Sequence, residues 1–175
     1  MANTPLLKKE IDNGTFGVCL DSRLIKPGDY FVAVVGEVTD GHKYIDSAID
    51  NGAKGWIEEG DLYELAKYKI EKINPIIVGV TGSTGKTSVT AFLTQLLSFK
   101  YRVAKGGLNT KLGLSTEVIN NISSDCNVFV AEIGMNGLGQ IDKITEMYPP
   151  HIAVVTTVNQ THAEKLGSIE NIAKA

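Results

Sequence analysis

Residues 79–88 read GVTGSTGKTS and follow the apolar run Pro75-Ile76-Ile77-Val78. A buried strand that empties into a glycine-rich turn, a lysine and a hydroxyl pair, with an amphipathic stretch behind, predicts a strand–loop–helix phosphate grip. Gly82 and Gly85 can adopt backbone conformations closed to other residues, so the amides around Ser83 and Thr84 can turn toward an anion. Lys86 supplies a charge for phosphate oxygens. Thr87, with Ser88 beside it, opens a helix whose N-terminus favours anions, and its hydroxyl is placed to reach Mg²⁺. The strict form of the motif asks for glycine where this chain has Val80, with Gly79 and Gly82 on either side. The physical requirements are met without it. A purine nucleoside triphosphate is the expected ligand, against the bland alternative of a glycine-rich turn with an incidental lysine. The loop alone does not separate hydrolase, kinase and ligase.

The rest of the chain fits around this strand. Between 16 and 60, the apolar segments FGVCL, YFVAVVG and GAKGWIEEG alternate with helical spacing at Tyr44, Ile45, Ala48 and Ile49. A short helix is expected over 61–69, then a strand or linker near 70–75. From 75 on, strands are expected at 75–80, 101–104, 127–131 and 152–156. Helices are expected over 86–98, 111–119, 138–147 and 164–174. In the first of these helices Val89, Phe92, Leu93, Leu96 and Leu97 read as one apolar stripe. Strands separated by helices of ten or so residues imply right-handed crossovers and a mostly parallel sheet. The chain therefore reads as α/β. A small N-terminal α/β domain covers 1–74, and a P-loop, mostly parallel-sheet domain covers 75–175. The second is expected to be incomplete, because the sequence stops inside its last helix.

Ligands of parallel sheets sit at the carboxyl ends of strands. Three candidates fall there: the glycine loop, Glu132 after VFVA, and His162 in NQTHAEKLGS. A carboxylate emerging beside a triphosphate can hold Mg²⁺, and a neutral imidazole can bind a metal or orient a substrate. The bland readings are a solvated strand-end acid and a helix-capping histidine. His42 in DGHKYI and His151 in PPHIAVV are weaker candidates. In the first domain, Ser22 and Arg23 can meet a substrate phosphate. An Asp21–Arg23 surface pair is the alternative.

Composition excludes several classes. Seventeen basic and 20 acidic residues give a net charge of -3, so no bulk attraction to nucleic acid is expected. The N-terminus lacks a signal-peptide core, and no run approaches the roughly 18 apolar residues of a membrane span. Cys19 and Cys126 lack metal-ligand spacing and read as buried free thiols of a cytoplasmic protein.

Several ordered segments together resemble the Mur ligases. DSRLIKPGDYFVAVVGEVTDGHKYIDSAIDNGAKGWI is similar to their N-terminal uridine-nucleotide domain. GVTGSTGKTS, GGLNTKLG, AEIGMNGLGQ and THAEKLGSIENIAKA follow the order of their central ATPase domain. AEIGM and GS-x-E-x-IAKA resemble the members that add D-alanyl-D-alanine. The resemblance implies ATP-driven amide formation through an acyl phosphate in peptidoglycan precursor synthesis. ATP and Mg²⁺ would be its cofactors, and a UDP-N-acetylmuramoyl tripeptide and D-alanyl-D-alanine its substrates. It implies that Lys86 contacts the ATP phosphates, that Thr87 and Glu132 hold one Mg²⁺, and that His162 serves a second. Asn109 would approach the UDP-muramoyl peptide, with Ser22 and Arg23 in the uridine-nucleotide region. The family's carbamylated lysine would fall just past Ala175, and Lys174 does not match it. A chain ending there is expected to be inactive by itself, and the intact protein is expected to be a monomer. Thr110, Ser115 and Thr157 depart from residues usual in the family: asparagine, proline and asparagine.

Overall fold

The computed structural model describes residues 4–159 apart from Glu37, Met135, Asn136 and Leu138. These divide into two compact units. One comprises the residues up to Lys72 with Val118–Asn120, the other Ile73–Glu117 and the residues from Asn121 on.

The first unit opens with α1 (Thr4–Asp12), which the sequence reading missed. Its buried side chains, Leu7, Glu10 and Ile11, follow a helical spacing that a charged residue interrupts. Glu10 is tolerated inside because Lys54 Nζ donates to it at 2.5 Å. β1 (Val18–Cys19), β2 (Tyr30–Ala33) and β3 (Gly55–Glu58) form a parallel sheet in the order β1-β2-β3. The central strand, YFVA, is buried at every residue, as a parallel strand covered on both faces must be. A 3-10 turn (Gly41–Tyr44) and α2 (Ile45–Asp50) make the crossover from β2 to β3. On the α2 side, Phe31, Ala33, Ala48 and Ala53 form a core, with Ile25, Ile45 and Trp56 against it. α3 runs unbroken from Glu59 to Ile73, which corrects the short helix over 61–69 and the strand or linker expected near 70–75. Leu62, Leu65, Ala66 and Ile70 carry one buried stripe past the expected end. The helix gives way at Asn74, whose φ of +50° is the left-handed turn that asparagine tolerates after a helix.

The second unit alternates strand and helix as expected: β4 (Ile76–Thr81), α4 (Lys86–Leu97), β5 (Val103–Gly106), α5 (Lys111–Asn121), β6 (Val128–Glu132), α6 (Gln140–Met147) and β7 (Ile152–Val155). The sheet is parallel throughout, in the order β5-β6-β4-β7. The chain leaves β4 toward β5 and β6 on one side and returns to β7 on the other. The carboxyl end of β4 is thus the switch point, where crevices of such sheets open. On one face of the sheet Val78, Val80, Val128 and Val130 are covered by Val89, Leu93 and Leu97 of α4. The five-residue stripe expected on α4 is narrower in fact. Phe92 and Leu96 lie on an adjoining row and are 66% and 63% exposed. The expected helix over 164–174 lies outside the described residues.

Candidate functional site

β4 delivers the loop through a buried middle. Val80 is fully buried and stands level with Glu132 on β6 and Val154 on β7. The position where the strict motif has glycine is therefore core here, and valine fills it. The turn begins at Gly82, with φ +131°, and closes at Gly85, with φ +83°, the residue before α4. Both angles belong to glycine. Gly82 is also a point of close approach: a Cβ there would lie 2.3 Å from Thr156 Oγ1 and 2.9 Å from the Thr157 backbone.

Thr156 and Thr157, which follow β7, hold the loop from beneath. Ser83 N–H donates to the Thr157 carbonyl at 2.7 Å, and Thr84 N–H to Thr157 Oγ1 at 3.2 Å. Thr156 Oγ1 donates to the Thr84 carbonyl at 2.6 Å. Ser83 is buried, and its hydroxyl donates to the Asn159 carbonyl while accepting the Asn159 N–H. Sequence reasoning saw Thr157 only as a departure from a family pattern. A run of hydroxyls directly after a strand on the same rim was the available signal. Threonine supplies the acceptor for the Thr84 amide.

Lys86 folds back over the turn, Nζ donating to the Gly82 carbonyl at 2.7 Å. Thr87 Oγ1 donates to Glu132 Oε2 at 2.9 Å, across 45 residues of sequence. Thr84 and Ser88 stand exposed. Glu132 is only 4% exposed, and among the described residues its carboxylate forms no salt bridge. A buried carboxylate answered only by a hydroxyl is a site that a cation completes, so the oxygens of Thr87 and Glu132 fit a hard divalent ion such as Mg²⁺. Among the described residues no three His, Cys, Asp or Glu side chains converge as a metal group. An ion there would rely on water and ligand oxygens for its remaining positions.

Asn109 reaches the same rim. Its carbonyl accepts the N–H of Gly134, two residues past Glu132, at 3.3 Å. Its carboxamide lies against that glycine, since a Cβ on Gly134 would sit 2.6 Å from Asn109 Nδ2. Two of the departures nearby have structural explanations. Thr110 caps α5, Oγ1 accepting Gly113 N–H at 3.1 Å, a task threonine and asparagine both perform. Ser115 is buried, donates to the Lys111 carbonyl and meets the Tyr148 hydroxyl at 2.7 Å. Burial pushes the Tyr148 phenol well above its ordinary pKa.

The other candidates are placed differently. Arg23 is 83% exposed at its side chain and lies against Asp21, Nη2 to Oδ2 at 2.6 Å. Those hydrogen bonds hold the Asp21 carboxyl down to about 2. Ser22 is buried, and its carbonyl accepts from Asn51 Nδ2. His42 bridges two carboxylates, Nδ1 to Asp40 at 2.6 Å and Nε2 to Glu58 at 3.1 Å. Glu58 first, then Asp40, raises its pKa. His151 Nδ1 accepts the Ile77 N–H at 3.0 Å, which ties the entry of β7 to β4. Cys126 is a buried thiol, its Sγ donating to the Val128 carbonyl at 3.3 Å, whereas Cys19 is only half-buried, not buried as expected. His162 lies outside the described residues.

A glycine loop at the switch point of a parallel sheet, with a buried acid on the next strand, defines a nucleotide-type α/β unit. The chain belongs to the Mur ligase family: the model of the Mur ligase middle domain matches residues 80–175, and that of the Mur ligase family catalytic domain residues 16–101. It is 33% identical to a UDP-N-acetylmuramoyl-tripeptide–D-alanyl-D-alanine ligase of Rickettsia prowazekii, over 90% of this chain and 39% of that protein. It is 30% identical to a UDP-N-acetylmuramoyl-L-alanyl-D-glutamate–2,6-diaminopimelate ligase of Haemophilus influenzae, over 99% of this chain and 44% of the relative. Among solved structures it is similar to the MurF ligase of Thermotoga maritima in complex with ADP, with a TM-score of 0.81 and 34% identity over 93% of this chain and 42% of that one. The chain spans about two fifths of the length of the curated relatives it matches.

Proposed function

We propose that the protein carrying this sequence is an ATP-dependent amide ligase of peptidoglycan precursor synthesis. We propose further that it joins D-alanyl-D-alanine to a UDP-N-acetylmuramoyl tripeptide. The observation that carries the reading is the meeting of Thr87 and Glu132 beside Lys86 at the end of β4. Family membership and the ADP complex of the Thermotoga relative support a nucleotide at that loop. In this reading the residues from Gly82 to Ser88 form the phosphate loop. The Ser83 and Thr84 amides, expected to face the anion, are instead taken by Thr157, so the phosphates meet Lys86 and the amides at the start of α4. Lys86 turns from the Gly82 carbonyl to a phosphate oxygen, and its charge offsets that of the transferring group. Thr87 and Glu132 hold Mg²⁺, with His162 serving a second ion. The metal supplies charge neutralisation on the phosphate oxygens.

A carboxylate is a poor electrophile, so an oxygen of the peptide's terminal carboxylate attacks the γ-phosphorus of ATP. The bond to the β–γ bridging oxygen breaks, ADP leaves, and an acyl phosphate results. The amine of the dipeptide then attacks that carbonyl and inorganic phosphate departs. No protein nucleophile is needed. The chain's task is to fix donors and cations before charge develops. We assign residues 1–74 to the UDP-sugar peptide, with Ser22 and Arg23 near the nucleotide, and residues 75–175 to ATP. Asn109 reaches the muramoyl peptide. ATP and a nucleotide-sugar substrate place the reaction in the cytoplasm. No described helix is long and apolar enough to cross a membrane.

The identity to a diaminopimelate-adding relative supports a second reading, in which the amine is a single amino acid. One assay separates them: phosphate release from ATP with UDP-N-acetylmuramoyl peptides and a panel of amines. Release that requires both the tripeptide and D-alanyl-D-alanine is expected. Release driven by diaminopimelate on the shorter peptide selects the second reading. Nucleotide binding with no substrate-dependent release rejects both in favour of a non-catalytic nucleotide-binding protein.

A further inference from the structure

We propose that Glu117 is a positioning residue that clamps the loop carrying Asn109 and thereby sets affinity for the sugar-peptide substrate. The proposal rests on the assignment of Asn109 to that substrate and adds a residue which sequence reading passed over. Glu117 Oε1 accepts the Gly107 N–H at 3.0 Å, and Oε2 accepts the Leu108 N–H at 2.9 Å. One carboxylate thus takes two successive amides immediately before Asn109. Among the described residues it forms no salt bridge.

The geometry follows from the helix. Glu117 lies seven residues after the cap Thr110, two turns along the same face of α5. Helical side chains lean toward the N-terminus, so a glutamate there reaches back over the loop that leads into its own helix. The loop needs such a partner. Gly107, the first residue after β5, loses more backbone freedom on ordering than any other residue type would. Gly107, Leu108 and Thr110 are exposed, so little packing holds them. Charge-assisted bonds from both amides restrain the segment just upstream of Asn109. The Gly134 N–H fixes it downstream, through the Asn109 carbonyl. Asn109 is thereby pinned from both sides, within two residues in sequence of each clamp.

The test uses Glu117→Gln and Glu117→Ala, with Asn109→Ala as the arm for the underlying assignment. Glutamine keeps the length but only one acceptor oxygen, so one amide loses its partner; alanine frees both. Amide exchange is expected to quicken about tenfold at both Gly107 and Leu108 in Glu117→Ala, and at one of the two in Glu117→Gln. Exchange in β4 and β6 should stay as in the wild type. Calorimetric titration with UDP-N-acetylmuramoyl tripeptide is expected to show about tenfold weaker binding for Glu117→Gln and more for Glu117→Ala. ADP affinity should be unchanged, which a general loss of structure would not leave intact. Unchanged exchange at the two amides overturns the clamp. Weaker tripeptide binding by Asn109→Ala but wild-type binding by Glu117→Ala overturns the role of Glu117 alone. Wild-type binding by Asn109→Ala, or no tripeptide binding by the wild type, removes the substrate assignment on which the proposal stands.

Discussion

In the N-terminal unit, Arg23 lies along Asp21 two residues away, and His42 is shared between Asp40 and Glu58. In the unit from Ile73 on, Lys86 is bonded to a backbone carbonyl, and Glu132 meets a hydroxyl rather than a cation. The first arrangement answers charge with charge, mostly between near neighbours in sequence. The second brings groups from separate strands to one rim and leaves their charges unanswered by one another. An exposed charged side chain gains little from any ionic partner, because water already solvates it and salt screens the attraction. A buried carboxylate without a cation gains much. The contrast teaches where binding free energy is to be sought, and each prediction below tests it.

The largest effect is expected for Lys86→Ala, which removes the mobile charge of the loop. Ligation, followed as phosphate release, should fall at least about 100-fold, and ADP affinity should fall with it. Arg23→Ala is the comparator and should leave ADP affinity unchanged. Wild-type ligation by Lys86→Ala would break the contrast at its strongest point. Next comes Gly82→Ala, which adds a Cβ at φ +131° and 2.3 Å from Thr156 Oγ1. A loss of about 2 kcal/mol is expected in chemical denaturation of the second unit. An unaltered midpoint would show that the threonines do not hold the loop from below.

A smaller loss, about 1 kcal/mol, is expected for Tyr148→Phe, which removes the buried bond to Ser115. It should appear in denaturation and leave ADP affinity alone, since neither hydroxyl faces the loop residues. The smallest effect concerns pH in the first unit. His42 has its pKa raised from 6.5 by Glu58 and Asp40, so its contribution to folding is fully present below 6.5. That contribution is lost as pH rises through the raised value. The stability gap between wild type and His42→Gln, measured by denaturation across pH 5.5 to 9, should therefore shrink toward the alkaline end. A gap that widens with pH would reverse the assignment of charge to His42. Asp21 has the opposite sign: its carboxyl is held at about 2 against an ordinary 3.8. Its contribution is present above 3.8 and lost as pH falls toward 2.

The second unit was the more legible from sequence, and the reasons are local. Three of its described strands are short apolar runs, and most of its helices are long enough to show a 3.6-residue period. The fourth, VAKG, carries a lysine and lies two residues beyond the 101–104 expected for it. α1 was missed because its buried face includes Glu10, which reads as a surface residue until Lys54 is seen beside it. The expected end of α3 at residue 69 falls short because Ile70, in the stretch expected to be a strand or linker, continues the stripe of Leu62 and Leu65. The α4 stripe was drawn too wide for a similar reason. Periodicity tells which residues share a side of the helix, not how broad a strip the sheet covers, and Phe92 and Leu96 fall outside it.

By itself the sequence determined the turn at 82–85, the helix behind it and the alternation that makes the sheet parallel. All three depend on residues within a few positions of one another. Only the tertiary structure decided which groups meet. The order β5-β6-β4-β7 sets β6 beside β4 and so carries Glu132 to Thr87. β7 on the other side of β4 brings Thr156 and Thr157 under Gly82. The return of α5 over its own leading loop turns Glu117, an unremarked acid in KLGLSTEVINN, into a partner for two amides. The contacts of Glu132 and of the two threonines join residues distant in sequence, and strand order, which no local pattern encodes, sets them. That of Glu117 spans nine and ten residues and depends on how the loop folds against its own helix.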